Sequence, residues 1–595
     1  MILQALYEYY QRKAADPESN IAPVGFERKE IPFIIVIDEE GHFINLEDTR
    51  TIDVRQIRAK TFLVLKTKSR TGSKASDTAN VFWDHWGYVL GMPKENDKKK
   101  SPEELLEEAK KQNITFTRHV KMLSEKYPDN VEFKAVCKFY EQKSEIQKLL
   151  DHESWADCYN IPGCNLSFRI AGYPGIVAEN PDLSREVEVY SGTNDPEQNI
   201  KEEGVCLITG ERGPIAILHS ATSLPGGKSG GKIVGFQKNS GYDSYYKEQG
   251  LNAPVSKIAE DAYTTALNVL LSKDSRNKFR IADTSVLFWS QKQTVFENQF
   301  SFFFNAPEKD DPDRNVNEVR ALFESIHTGI LNTDGDTPFY VLGLAPNAAR
   351  ISIRFWKTGK VTDFASNIAR HFIDLEIVRS KKDEQDYFTL FSLLSNVSFE
   401  YKIDNAPPYL AGKIIESVLD GTKYPDTLQQ QCIRRIRAEQ NVNRIRAAIL
   451  KACLNRKIEI NNINEKQITM SLDLENNNQG YLCGRLFAVL EKIQEDAQPG
   501  INTTIKDRYY GAASSTPVTV FGRLLNLSIH HLEKLGKGSK TYYEKMIQEI
   551  MSGVSSQGLP PHLSLDDQSR FAIGYYHQRQ DLFTRKDKTT KIQEV

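Results

Sequence analysis

Residues 224 to 236 read LPGGKSGGKIVGF, and the seven positions 226–232 hold four glycines, two lysines and one serine. Glycine lets backbone amides approach an anion closely and lysine supplies charge, so the stretch is a candidate phosphate cradle. A nucleotide-binding loop needs G-x-x-x-x-G-K-[ST], because the closing hydroxyl binds magnesium. From Gly226 the sixth and seventh positions are Gly231 and Lys232, but the eighth is Ile233; in the register of Gly227-Lys228-Ser229 the opening glycine would fall on Thr222. Both registers fail by one residue. The stretch reads either as a loop touching phosphates of another kind or as a surface turn between two strands.

Catalytic templates fare no better. No H-E-x-x-H is present, and His530-His531 are adjacent, so on a helix they point about 100° apart and cannot face one metal. The acidic run TDGDTP (333–338) lacks the hairpin of a metal-binding polymerase turn and reads as a solvated loop. The seven cysteines are scattered and odd in number, with no C-x-x-C to start a zinc knuckle. No catalytic residue, metal ligand or cofactor is assigned, which favours a binding role. The alternative is a metal- or nucleotide-dependent nuclease acting on nucleic acid, and it would need clustered carboxylates that are absent at motif spacing.

Two basic stretches carry more information. Residues 66–74, KTKSRTGSK, hold Lys66, Lys68, Arg70 and Lys74 with Ser73 and other small residues between them, and Asn80 follows. Small hydroxyls and glycine let backbone approach phosphates, while arginine and lysine can reach base edges in a groove. The alternative is a solvated strand-end loop. Residues 432–458 place eight cations, among them Arg434, Arg435, Arg437, Arg444, Arg446 and Lys451, against the single acid Glu439. Ile433, Ile436, Ile445, Ile449 and Cys453 make an apolar stripe, so one packed helix with a cationic side is expected. Arg437, Arg444 and Lys451 recur every two turns and would follow one line of phosphates. A charge-rich solvated face is the competing reading.

The elements that must position these residues follow from periodicity. IPFIIVIDEEGHFINLED alternates as two strands about Asp38–Gly41, TFLVLKTKSR starts as a strand, and residues 102–151 read as helical after a lysine-rich linker. Strands are expected around EVEVYSG, GVCLITGE, PIAILHS and KIVGF, then a helix started by Ser256 and a strand at Ser285–Trp289. PFYVLGLAPNAARISIRFWKTGK reads as strand, turn, strand, and beyond about residue 378 strand signals nearly vanish. The expected fold class is α+β: a mixed α/β N-terminal region followed by an all-helical C-terminal bundle. Expected domains span 1–310, 311–465 and 470–595.

Bulk composition sets limits on these readings. At 595 residues the chain exceeds one ordinary core, and its net charge of −2 leaves nucleic-acid binding to local patches. No run of about 18 apolar residues suggests a membrane span, and the acid-containing N-terminal helix does not read as a signal peptide. A reduced, cytoplasmic location is expected.

Particular words of the sequence resemble one family. MILQALYEYY…IPFIIVIDEEG, FWDHWGYVLG, NAPVSKIAEDAYTTALNVLL, FYVLGLAPNAARISIRFW and RYYGAASSTPVTVF…LPPHLSLDDQSRFAIGYYHQRQ look like the large subunit of the type I-C CRISPR surveillance complex, Cascade. The resemblance runs from residue 1 to about 585. It implies a non-catalytic bacterial subunit that checks the protospacer-adjacent motif in double-stranded DNA, aids duplex opening and stabilises the R-loop, while guide RNA reads the rest by base pairing. Implied partners are CRISPR RNA, target duplex and displaced non-target strand, backbone and guide-end Cascade subunits, small subunits, and a recruited helicase-nuclease that would own the ATP hydrolysis; no membrane is implied. On this reading Lys66, Lys68, Arg70, Ser73, Lys74 and Asn80 grip the motif duplex. Lys228, Ser229 and Lys232 touch DNA near the fork, and Arg434, Arg435, Arg437, Arg444, Arg446 and Lys451 line the strand path. The family also makes a small subunit from an internal start, whose position Met470 matches; the alternative is an ordinary methionine at a domain start.

Overall fold

The computed structural model describes residues 1–583 except 54–55, 67–69, 71–75, 94–100, 188–202, 228–230, 238–240, 242–246, 306–313, 329–333, 348–349, 380–385 and 408. The chain divides into two compact units, one of residues 1–222 with 232–269, the other of 223–231 with 270–595.

In the first unit, β1 (Phe26–Glu30) pairs antiparallel with β4 (Thr61–Leu65), and a separate four-stranded sheet carries most of the core. Its order is β3 (Phe43–Asp48), β2 (Phe33–Ile37), β6 (Asn165–Ile170), β5 (Trp83–His85). The unbroken apolar run FIIVI suits β2 to a central position, where it pairs antiparallel with β3 and parallel with β6. A parallel pair needs a long crossover, and here it includes α1 (Pro102–Lys126) and α2 (Val131–Glu141). Ser101 starts α1 with a reciprocal cap: its hydroxyl accepts from the Glu104 amide at 3.2 Å, and the Glu104 carboxylate accepts from the Ser101 amide at 2.7 Å. Phe116, Val120 and Leu123 recur on one face of α1 and are buried, as helical periodicity requires. The helix α3 (Lys257–Leu271) begins at Ser256, whose hydroxyl accepts from the Ala259 amide at 3.3 Å.

The second unit opens with an antiparallel sheet in sequence order, β7 (Lys278–Ile281), β8 (Thr284–Ser290), β9 (Pro338–Asn347) and β10 (Arg350–Lys360). Helices follow: α4 (Val361–Leu375), α5 (Leu390–Val397), α6 (Asp426–Glu439), α7 (Arg444–Ile460), α8 (Gln479–Ala497), α9 (Ile505–Ala513) and α10 (Leu565–Phe583). One face of the sheet, with Phe288, Phe339 and Val341, shares a core with α4, α7, α8 and α10. The architecture is a mixed strand-and-helix front followed by a helical back.

Several expectations are corrected. Residues 278–290, expected with the front region ending at 310, lie in the second unit because β8 pairs with β9. Residues 470–583 share the core of residues 361–460: the Tyr576 hydroxyl donates to the Val378 carbonyl at 2.8 Å, and the Val378 amide donates to the Met470 carbonyl at 2.9 Å. KIVGF forms no strand, and 203–219 holds only the short strand pair Glu203–Val205 and Arg212–Pro214 and a single bridge from Ile215 to Ser256. The expected strand at EVEVYSG lies mostly outside the described residues.

Candidate nucleic-acid interface

The basic loop after β4 is fastened at two points, its start and its middle. At its start the Lys66 ammonium meets the Asp261 carboxylate of α3 at 2.5 Å, and the second Asp261 oxygen accepts from the Gly25 amide at 2.8 Å. Burial alone would lower the Lys66 pKa, but the charge and hydrogen bond of Asp261, with the charges of Glu260 and Glu27, together outweigh it and the net shift is upward. Four residues on, the Arg70 guanidinium forms a two-armed pair with Asp84 and stacks 4.0 Å from the centre of the Tyr88 ring. Asp84, only 1% exposed, also accepts from the amides of Asn80 at 2.9 Å and His85 at 2.8 Å. The side chain of Asn80 is itself buried. Lys66 and Arg70, expected on the motif duplex, are thus paired with Asp261 and Asp84, and the amide of Asn80, also expected there, is held by Asp84. Lys68, Ser73 and Lys74 lie outside the described residues.

The glycine-rich stretch begins with Gly226 at φ 80°, a left-handed turn that glycine adopts without strain. Its central residues, Lys228 and Ser229 included, lie outside the described residues. Lys232 is half-buried and close enough to His219 that its charge, after burial itself, holds the imidazole down to a pKa of about 4. The loop also spells Gly227-x-Ser229-x-Gly231, the spacing of a hydrolase nucleophile elbow. That elbow joins a strand to a helix, and the described residues on either side, 223–227 and 231–237, form neither.

The basic segment 432–458 is two helices, not one. α6 ends at Glu439, Gln440 turns left-handed at φ 50°, and α7 starts after Asn443, whose side chain accepts from the Arg446 amide at 2.9 Å. The break rotates Arg437 out of register with Arg444 and Lys451, so no single cationic line runs through them. Arg446 is wholly buried and donates to the carbonyls of Asn396 at 2.9 Å and Asn441 at 3.0 Å and to the Glu439 carboxylate at 2.5 Å. Lys451 is 5% exposed and donates to the Asp374 carbonyl at 2.8 Å; burial lowers its pKa against the pull of nearby carboxylates. Arg456 is likewise buried, on Asp374 and two backbone carbonyls. An ion this deep is costly unless it is paired and hydrogen-bonded; each of these cations has such partners, although Arg456 Nη2 is buried without one. Arg444 lies half-buried over the Phe388 ring at 4.6 Å.

The outer face of α6 is different. Arg434 and Arg437 are exposed and have no acidic partner among the described residues, while Arg435 is half-buried, 3.6 Å from Glu439 and 5.5 Å over the Phe399 ring. Gln440 donates to the Asp507 carbonyl at 2.7 Å, tying the end of α6 to the start of α9. α9 contributes exposed Arg508, and Arg523 reaches over Tyr509 at 5.7 Å. Sequence reasoning misses these two, along with the exposed rings Phe399 and Tyr401, because isolated residues in separate segments make no local pattern. Among the described residues, no three His, Cys, Asp or Glu side chains are grouped to hold a metal ion.

Comparison with known proteins gives one family: residues 6–583 match the family described as CRISPR-associated protein (Cas_Csd1). None of the curated proteins matches.

Proposed function

Because the chain belongs to the Cas_Csd1 family of CRISPR-associated proteins, we propose that it is the non-catalytic large subunit of a type I-C Cascade. The observation that carries this reading is the extent of the match, which takes in nearly every described element of both units rather than one transferable module. In that role the chain recognises a short motif beside the target, helps open the duplex and holds the displaced strand, while guide RNA reads sequence by pairing. The geometry supports a division of labour within the basic loop. Lys66 and Arg70 are held by Asp261 and Asp84, and Lys68, Ser73 and Lys74 are the groups proposed for the motif duplex. Lys228, Ser229 and Lys232 would serve near the fork, and Arg434 and Arg437 along the strand path.

The proposed setting is the bacterial cytoplasm, with guide RNA, backbone and guide-end subunits, small subunits and a recruited helicase-nuclease as partners. The segment from Met470 onward would be made a second time as the small subunit. A gel shift with the assembled complex, comparing targets with and without the flanking motif, tests the reading. Motif-dependent retention is expected. Equal retention of both targets, or cleavage of DNA by the purified chain alone, would overturn it.

A further inference from the structure

We propose that the turn 399–401 and the outer face of α6 form a platform on which an unpaired nucleic-acid strand stacks its bases. The inference rests on the reading above and assigns it a surface. Phe399 is 57% exposed and Tyr401 45%, so two large rings stand open on one turn.

The turn is held in this shape against local preference. Glu400 and Tyr401 both adopt left-handed backbone, at φ 55° and 57°, a conformation that penalises side chains and persists only where surroundings enforce it. Here the enforcement is visible. The Asn405 amide group donates to the Phe399 carbonyl at 3.1 Å, and the Tyr401 hydroxyl donates to Glu439 at 3.3 Å. Buried Arg446 lies 5.4 Å from the centre of the Tyr401 ring while binding the Asn396 carbonyl just before the turn. Rings that could have folded inward are presented outward.

The surrounding charge is what a polyanion needs. Glu439 is paired with Arg446 and Arg435, and Glu400 with Lys402 at 2.6 Å. Arg434 is exposed, has no acidic partner among the described residues and adjoins the Arg435 that backs the Phe399 ring, whereas Arg437 lies about 160° round α6 from Arg435. Exposed rings near an arginine that has no acidic partner among the described residues match an unpaired strand, whose bases offer ring faces and whose phosphates offer charge. A duplex hides its base faces in the stack, and an acidic peptide would use the arginines but not the rings.

The test uses the full-length chain and a fluorescein-labelled oligothymidine, read by anisotropy over a range of salt. Phe399→Ala and Tyr401→Ala should each weaken binding by about five- to a hundredfold with little change in salt slope. Phe399→Trp should retain it. Arg434→Ala should lower the slope by about 0.7 for each phosphate that is no longer neutralised. Phe399 gives the turn's hydrogen bonds only its backbone carbonyl, so an unchanged thermal midpoint should accompany the loss in Phe399→Ala, and binding to a duplex of the same length should not respond to the ring variants. Failure of the parent chain to bind the oligonucleotide, or binding by folded ring variants that equals the parent's, overturns the platform. Competition by polyglutamate that ignores the ring variants would make the face a protein-docking surface instead. Motif discrimination by the assembled complex is a separate readout: its loss would sink the proposed function and leave the oligonucleotide result standing.

Discussion

Arg70 is bound to Asp84 through both arms of its guanidinium, and Asp84 in turn holds the backbone on either side of it through the amides of Asn80 and His85. A cation expected to grip a ligand is therefore paired with a carboxylate that also holds the backbone of Asn80 and His85. With Asp84 almost wholly buried and Arg70 23% exposed, the pair belongs to the class in which loss of one partner strands a charge.

Arg70→Ala and Asp84→Asn should each lower the urea-unfolding free energy by about 3 kcal/mol, in the range for breaking a buried ion pair. Any loss of target binding should then follow the loss of stability. Lys68→Ala and Lys74→Ala should leave the urea midpoint alone and reduce the salt slope of duplex binding by about 0.9 per phosphate neutralised. Weakened binding by Arg70→Ala at an unchanged midpoint would reassign Arg70 to direct contact.

The crossing of α8 and α10 depends on glycine. A methyl on Gly484 would run into the Phe571 carbonyl, and one on Gly574 into the Tyr481 carbonyl, so the two helices meet backbone to backbone. Gly484→Ala should destabilise the chain by about 3 kcal/mol through overpacking, even though alanine favours helix by about 1 kcal/mol. Gly511→Ala in α9, where a methyl would meet nothing within 4 Å, should be neutral or stabilising. Thermal midpoints that move together for both variants would contradict the close crossing.

Much of the fold is legible because its signals are local. The helical stretch after the lysine-rich linker announces α1, and the alternation around Asp38–Gly41 announces the β2–β3 hairpin. β1, FERKE, escapes such reading, because its polar composition hides a strand whose register is set by pairing with β4. KIVGF misleads in the opposite sense, being apolar but without a strand partner. The candidate site is less legible. Counting cations in 432–458 cannot separate Arg437, which faces out, from Arg446 and Lys451, whose partners Asn396 and Asp374 come from distant segments. Nor does sequence reveal that Tyr401 sits in left-handed backbone, since packing rather than residue type imposes it.

Buried histidines set an acid limit on stability. Burial, reinforced by Arg456, pushes His371 down to a pKa of about 3, and burial, reinforced by Lys451, does the same to His577. Both values lie below the ordinary 6.5, so the unfolded chain binds more protons than the folded one between those limits. The stabilisation is full above about pH 6.5 and is lost as pH falls toward 3. Each group should add about 1.4 kcal/mol per pH unit to the slope in that window. Urea midpoints measured from pH 7 to 5 should fall less steeply in His371→Gln and His577→Gln than in the parent chain. Equal slopes would mean that these imidazoles are protonated in the folded state.

The proposed second start at Met470 makes a prediction about the surface of its product. In the full chain, α10 is tied to α6 and α7: Gln429 donates to the Ser569 hydroxyl at 2.9 Å, and Lys457 pairs with Asp566 at 2.6 Å. Arg570 pairs with Glu465, which also precedes Met470. A chain beginning at 470 lacks all three partners and bares Ser569, Asp566 and Arg570 beside the apolar face that α7 covered. The short product should therefore unfold at a lower temperature than the full chain and associate with copies of itself or with other subunits. Met470 is 52% exposed, so Met470→Leu should leave the fold intact while removing the short product from the mass spectrum of the expressed gene. A single full-length species from the unaltered gene would eliminate the second start.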